Sequence, residues 1–197
     1  MNTIFFDNLG NIVQTCSFET TAGAQGNTYS FIYTEVNDVR PDTHYVLDGK
    51  LLEKPSKPSE HYIWDSDTHI WRLSREALAK DLKAKLNGEF SKRTWAPIEY
   101  TSLFDADPLA RERINSVLSR IARTNTLPEG WVGWRDYHNN THWSTLSASE
   151  VFIELSALAT AIEDREQQLL IKYWQHKANI EVATDEELLN YDITQGW

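Results

Sequence analysis

Hydrophobic positions alternate over short stretches in the first seventy residues and recur every third or fourth position afterwards. Ile4-Phe5-Phe6 and Ile12-Val13 flank the turn-rich Asp7-Asn8-Leu9-Gly10-Asn11, which predicts a hairpin. A Gly-rich stretch, Ala22 to Asn27, precedes an apolar-aromatic run from Tyr29 to Tyr33. Asp48-Gly49 lies between His44-Tyr45-Val46-Leu47 and Lys50-Leu51-Leu52, a pairing suited to a type I′ turn because Gly tolerates positive φ. Tyr62-Ile63-Trp64 and Ile70-Trp71-Arg72 form a further hairpin candidate across Asp65 to His69. Between these, Pro55 and Pro58 make Lys54 to Ser59 a stiff segment with few backbone donors.

From Ser74 the period changes. Leu78, Leu82, Leu86 and Phe90 mark one face of an amphipathic helix that Gly88 weakens and Pro97 ends. Asp107 and Pro108 supply the cap and first turn of a second helix, whose apolar face carries Ile114, Val117, Leu118 and Ile121. Pro128 and Gly130 close that segment, and Trp131 to Trp143 has the texture of a short strand-turn-strand with Asn139-Asn140 at its tip. Ser147 with Glu150 forms a capping box, and Leu146 against Val151 a hydrophobic staple. Val151, Leu155, Leu158, Ile162, Leu169, Tyr173 and Ile180 then predict one helix of roughly 50 Å, at 1.5 Å per residue. Leu155, Leu158 and Ile162 are expected to pack on Ile114, Val117 and Ile121. Thr184 with Glu187 caps a short terminal helix, followed by an exposed Gln195-Gly196-Trp197.

These elements define an α+β fold: a small N-terminal β-rich module (1–54), a proline connector with a β-hairpin (55–73), and a mainly helical domain with one long helix (74–197). Strands and helices do not alternate, which argues against a parallel nucleotide-binding sheet.

Composition narrows the function classes. An apolar fraction of 41% supports a packed core. The net charge of −10, from 29 acidic and 19 basic residues, opposes a general nucleic-acid backbone binder. Cys16 is the single cysteine, so no intrachain disulfide or multi-thiolate metal site can form. The N-terminal residues have neither a basic segment nor a long apolar run, so no signal peptide is expected. No stretch approaches the roughly 20 apolar residues needed to span a bilayer.

Chemical motifs are scarce. His138 and His142 are four apart, but Asn139-Asn140 marks a turn, no Glu lies between them and no third ligand is evident. Asp65, Asp67 and Glu76 fall at calcium-loop spacing, yet Ile70 stands where a sharp turn requires Gly and Trp71 lies inside the loop. His44, His61, His69 and His176 sit beside aromatics or on helices, where structural roles predominate. No nucleophile elbow, phosphate loop or dinucleotide fingerprint is present, and the carboxylates lack a recognisable glycosidase context. The expectation is a non-enzymatic binding protein with no catalytic residue, metal or cofactor.

Three stretches resemble a family of small bacteriophage proteins encoded beside tail-fibre genes, including fibre-assembly chaperones and fibre-associated tail proteins. One is His44-Tyr45-Val46-Leu47-Asp48-Gly49 running into Glu53-Lys54-Pro55. Another is Tyr62-Ile63-Trp64-Asp65 leading to Ile70-Trp71. The third is an ordered succession: Phe104-Asp105-Ala106-Asp107, Arg113-Ile114, Gly133-Trp134-Arg135-Asp136, Leu146-Ser147, Lys177-Ala178-Asn179-Ile180, Ala183-Thr184-Asp185-Glu186-Glu187-Leu188 and Trp197. It is similar to a helical domain of uncharacterised biochemistry found in phage tail and tail-fibre genes. The resemblance implies a protein that binds, folds or caps a fibre as an adaptor or assembly chaperone. Its partner would be a tail-fibre trimer or a baseplate protein, with neither nucleic acid nor membrane involved. It would act in the host cytoplasm during assembly and reside on the virion tail or fibre afterwards. The competing readings are a glycan-active tail enzyme using an Asp/Glu pair and a host-directed phage regulator. The chain's own oligomeric state stays open at this level.

Overall fold

A local turn chemistry explains each hairpin at the start of the chain. The computed structural model describes residues 1–17 and 29–197, so the Gly-rich stretch Ala22 to Asn27 lies outside the described residues. Strand β1 (Asn2–Phe6) pairs antiparallel with β2 (Ile12–Cys16) and β3 (Ser30–Thr34), giving the order β2-β1-β3. The Asp7 carboxylate closes the first turn by accepting from the backbone amides of Leu9 and Asn11. Gly10 sits at φ +78°, and a Cβ there would meet the Val46 carbonyl oxygen at 1.9 Å. That close approach lets the Gly10 carbonyl accept from Val46 N–H at 2.9 Å, tying this turn to the next hairpin.

Strands β4 (His44–Leu47) and β5 (Lys50–Glu53) pair across Asp48 and Gly49, whose φ angles of 50° and 73° are those of the expected type I′ turn. Strands β6 (Tyr62–Asp65) and β7 (Ile70–Leu73) form the third hairpin. Ile4, Ile12, Val39 and Val46 make the small core beneath, with Phe6, Ile32 and Leu51 packed against it.

The chain divides into two compact units, Met1–Leu78 and Ala79–Trp197. Residues 55–73 fall within the first unit. The Ser66 hydroxyl bonds Asn11 and the Trp64 ring lies 5.1 Å from that of Tyr45, tying this segment to the strands before it, while Trp71 Nε1 donates to the Pro55 carbonyl at 2.6 Å.

Helix α1 (Arg75–Thr94) begins at Ser74, whose hydroxyl accepts from the Ala77 amide. Leu78, Leu82 and Leu86 are buried along the expected stripe. The helix runs through Gly88 without a break. Nothing lies within 4 Å of a Cβ built at Gly88, and its φ is not positive. Gly88→Ala should therefore stabilise the protein by about 0.5–1 kcal/mol by removing backbone freedom from the unfolded chain. Chemical denaturation checks this, and a lower midpoint would show an unseen crowding at that turn.

Two short strands, β8 (Ile98–Glu99) and β9 (Leu103–Phe104), lead into helix α2 (Pro108–Thr124). Asp107 caps α2 by accepting from the Ala110 amide at 2.7 Å, and Asn125 ends it in the left-handed conformation. A second two-strand ribbon follows, β10 (Trp134–Arg135) with β11 (Thr141–His142). Helix α3 (Ala148–Val182) spans 35 residues behind the Ser147–Glu150 capping box, and α4 (Asp185–Leu189) starts at the Thr184–Glu187 box. The core of this unit joins Ile114 and Ile121 of α2 to Val151, Leu155, Leu158 and Ile162 of α3, with Val117 packed against it.

Arg165, on α3, donates to the carbonyls of Thr94, Ala96 and Pro97 at 2.9, 2.6 and 2.9 Å. A guanidinium thus satisfies carbonyls that the end of α1 leaves open. Trp197 departs from expectation. It is half-buried, its ring 5.2 Å from that of His176 and beneath the Arg93 guanidinium, because Tyr191 and the terminal turn fold back onto α3.

Candidate functional site

The two histidines with ligand-like spacing point apart. His138 is exposed at the ribbon tip, whereas His142 turns inward, its Nε2 3.0 Å from Asp136 Oδ2. The calcium-like segment is an Asp-closed turn. Asp65 Oδ1 accepts from the amides of Asp67 and Thr68 at 2.9 and 3.2 Å, and Arg72 ion-pairs with the same carboxylate. The Thr68 hydroxyl and these amides hold the Asp65 carboxyl below its usual range. Glu76 lies in the first turn of α1. His44 is buried with its Nδ1 2.8 Å from the Thr43 hydroxyl, and His176 Nδ1 bonds the Tyr191 hydroxyl.

Asp136 organises the second unit's densest polar cluster. Its carboxylate accepts from the amides of His138 and Asn140, the Asn140 side chain, the Ser102 hydroxyl and His142. Burial raises the affinity of this carboxyl for a proton. The bonds from His142, Ser102 and Asn140 outweigh that effect and hold it far below the usual carboxylate range. Ser102 Oγ lies 2.7 Å from Asp136 Oδ2, so serine and histidine both address the carboxylate. That order differs from a nucleophilic relay, in which the imidazole stands between hydroxyl and carboxylate. The cluster is a fastener. It joins the ribbon to β9, where the Tyr137 amide bonds the Leu103 carbonyl and Phe104 stacks on Trp143 at 5.3 Å.

A different kind of surface lies on the first unit. Trp64 and Trp71 are cross-strand partners on β6 and β7, with ring centroids 5.3 Å apart. Tyr45 of β4 adds its ring 5.1 Å from Trp64 and 4.8 Å from His69. Lys54 Nζ lies 4.8 Å from the Trp64 ring centre and donates to the Pro41 carbonyl; Lys57 Nζ lies 5.6 Å from the Trp71 ring. Burial holds the Lys54 ammonium below its usual range, against the opposing pull of Asp42. Trp71, Lys54 and Lys57 line an open groove of about 650 Å³, with Val36, Arg40 and His44 further along it. Trp64 Nε1 and His69 Nε2 are shielded from solvent and have no hydrogen-bond partner among the described residues. His69 also holds a left-handed backbone, φ 54°, a costly conformation for a residue other than Gly or Asn. Trp71 with the cations of Lys54, Lys57 and Arg40 along a groove suits recognition of a partner with apolar and polar features.

Sequence reasoning assigned no residue to such a site. A usable signal existed, because pairing β6 with β7 about their turn places Trp64 opposite Trp71. The contribution of Tyr45 depends on contact between separate hairpins, which no local pattern encodes.

No curated protein and no solved structure matches the chain. The family described as a domain of unknown function (DUF4376) matches residues 77–195, more than half of the sequence and nearly all of the second unit. With its capped α3 and the ribbon fastened by Asp136 inside that match, the chain belongs to the DUF4376 family.

Proposed function

We propose that this protein is a bacteriophage tail-fibre-associated adaptor or assembly chaperone that binds its partner without catalysing a reaction. The observation that carries this reading is the aromatic and cationic surface of the first unit, where Trp71, packed on Trp64, lines a groove with Lys54, Lys57 and Arg40. Before assembly, fibre chains present unpaired strand edges and apolar surface. A partner that covers them needs flat aromatic area and adaptable polar groups, which Trp71, Lys57 and Arg40 supply. The resemblance of the ordered motifs to fibre-associated phage proteins supports the same reading. The second unit then serves as a stably packed body that carries this surface. The partner is a fibre trimer or baseplate protein, met in the host cytoplasm during assembly and retained on the virion tail.

Co-expression with the neighbouring fibre gene, followed by pull-down, tests this. Trp71→Ala should reduce fibre recovery at least tenfold, the scale of an interface anchor. A chain starting at residue 74, which keeps the Ser74 cap of α1, should remain folded and lose the fibre. Full recovery of fibre by that shortened chain would move the binding surface to the second unit and sink the proposal.

A further inference from the structure

The turn before α2, helix α2 itself and strand β10 meet at one small cleft of the second unit. It measures about 270 Å³ and is lined by Asp105, Ala110, Arg113, Gly133, Trp134 and Arg135. Gly133 holds φ +103°, and a Cβ there would meet the His142 carbonyl oxygen at 2.5 Å, so this position must stay bare. Ala110 is buried in the first turn of α2, and Trp134 packs against the α2–α3 core. Neighbouring residues in these stretches have structural partners. Ala106 and Ile114 are core, Asp107 caps α2, and Asp136 fastens the ribbon. Asp105, Arg113 and Arg135 differ. All three are exposed, and their side chains make no hydrogen bond or ion pair among the described residues. Arg93 and Arg111 of the same unit, by contrast, are paired with Glu89 and Glu166.

We propose that this cleft receives an aspartate or glutamate side chain of a protein partner. The charge of the lining selects it. Two guanidiniums against one carboxylate leave a positive excess of one, which a single partner carboxylate neutralises. A guanidinium offers such a carboxylate parallel N–H donors in a matching plane. Asp105 serves as acceptor for a backbone N–H beside that side chain, and it repels any further negative charge. Phosphate, with its higher charge and no N–H to give, fits the same lining less well. Trp134 adds an aromatic wall, and Trp and Arg are the side chains that most often anchor interfaces. The net charge of −10 does not prevent this. At physiological ionic strength fields are screened over about 8 Å, so pairs formed inside the cleft outweigh distant carboxylates. The inference concerns the second unit alone and is independent of the fibre reading.

Titration of the full chain with the blocked peptide acetyl-Gly-Gly-Glu-Gly-amide, followed by proton–nitrogen NMR spectra, tests the proposal. The Trp134 indole signal and the Arg113 and Arg135 Nε–H signals should shift together, with a Kd of roughly 1 mM, the scale of one anchoring side chain. The same peptide with Gln in place of Glu should bind at least tenfold more weakly, the loss expected when a charged hydrogen-bond partner is removed. Arg113→Gln and Arg135→Gln should each weaken binding of the Glu peptide to a similar degree. Neither should move the unfolding midpoint, since both side chains are exposed. Arg120→Gln, exposed on the same helix but outside the cleft, should bind like wild type. Asp105→Asn should narrow the preference for the peptide over inorganic phosphate. Equal binding of the Glu and Gln peptides would overturn the proposal, as would an equal loss in Arg120→Gln. Displacement of the peptide by inorganic phosphate at equal concentration would also overturn it and assign the cleft to a free anion. Each outcome is distinguishable from failure of the first-unit reading, which Trp71→Ala reports separately.

Discussion

Asp136→Ala should lower the thermal unfolding midpoint by roughly 10 °C, a loss on the scale of breaking a buried polar network in a domain of this size. Five groups aim donors at that carboxylate: the His138 and Asn140 amides, the Asn140 side chain, Ser102 and His142. Alanine would leave them without an acceptor in a site where the Asp136 side chain has no solvent exposure. The pH dependence follows from the depressed pKa. A carboxyl that binds its proton more weakly in the folded chain than in the unfolded one contributes stability above its unfolded value, near 3.8. That contribution is lost as pH falls below 3.8 toward the lower folded-state value. The wild-type midpoint should therefore drop steeply in this acid range, and Asp136→Asn, which cannot ionise, should show a shallower drop from a lower starting point. Circular dichroism melts between pH 2 and pH 7 separate the cases. Equal midpoints for wild type and Asp136→Ala at pH 7 would remove Asp136 from its role as fastener.

The elements that were legible in the sequence owe their existence to local chemistry. Asp48-Gly49 dictates positive φ at two successive residues, and the β4–β5 hairpin follows. Ser147–Glu150 and Thr184–Glu187 close reciprocal bonds within a single turn, so the starts of α3 and α4 could be placed from four residues each. The α2–α3 core was readable because a 3.6-residue period identifies the buried face without knowledge of its partner. What escaped depends on contacts distant along the chain. The Asp136 cluster needs Ser102, 34 residues away, and the strands β8 and β9 are two residues each, too short to show a period. Trp197 follows a Gly and looks like a loose terminus, yet its ring meets His176 and Arg93. The prolines at 55 and 58 suggested a linker. Polyproline stiffness is compatible with a packed segment, however, when a carbonyl such as that of Pro55 receives an indole N–H. The same locality explains the site: each aromatic of the first-unit surface was visible, but not that three hairpin strands bring Tyr45, Trp64 and Trp71 together.

Leu158→Ala is expected to cost about 2–5 kcal/mol, the range for deleting most of a fully buried leucine side chain. Leu158 has no solvent exposure, and it shares one core with Ile114 and Ile121 of α2 and with Leu155 and Ile162 on its own helix. The cost has two parts. Apolar atoms lose their transfer free energy, and the cavity left behind removes contacts from its walls, since neighbours held on two rigid helices close it only in part. Alanine is the best helix former, so α3 itself should persist and the loss should report packing alone. Ile153, on the same helix but 65% exposed, is the matched control; Ile153→Ala should stay within about 0.5 kcal/mol of wild type. Urea denaturation of both variants, with m-values compared to confirm two-state behaviour, decides the matter. Should Leu158→Ala unfold at the wild-type midpoint while Ile153→Ala is strongly destabilised, the buried and exposed faces of α3 would have to be exchanged.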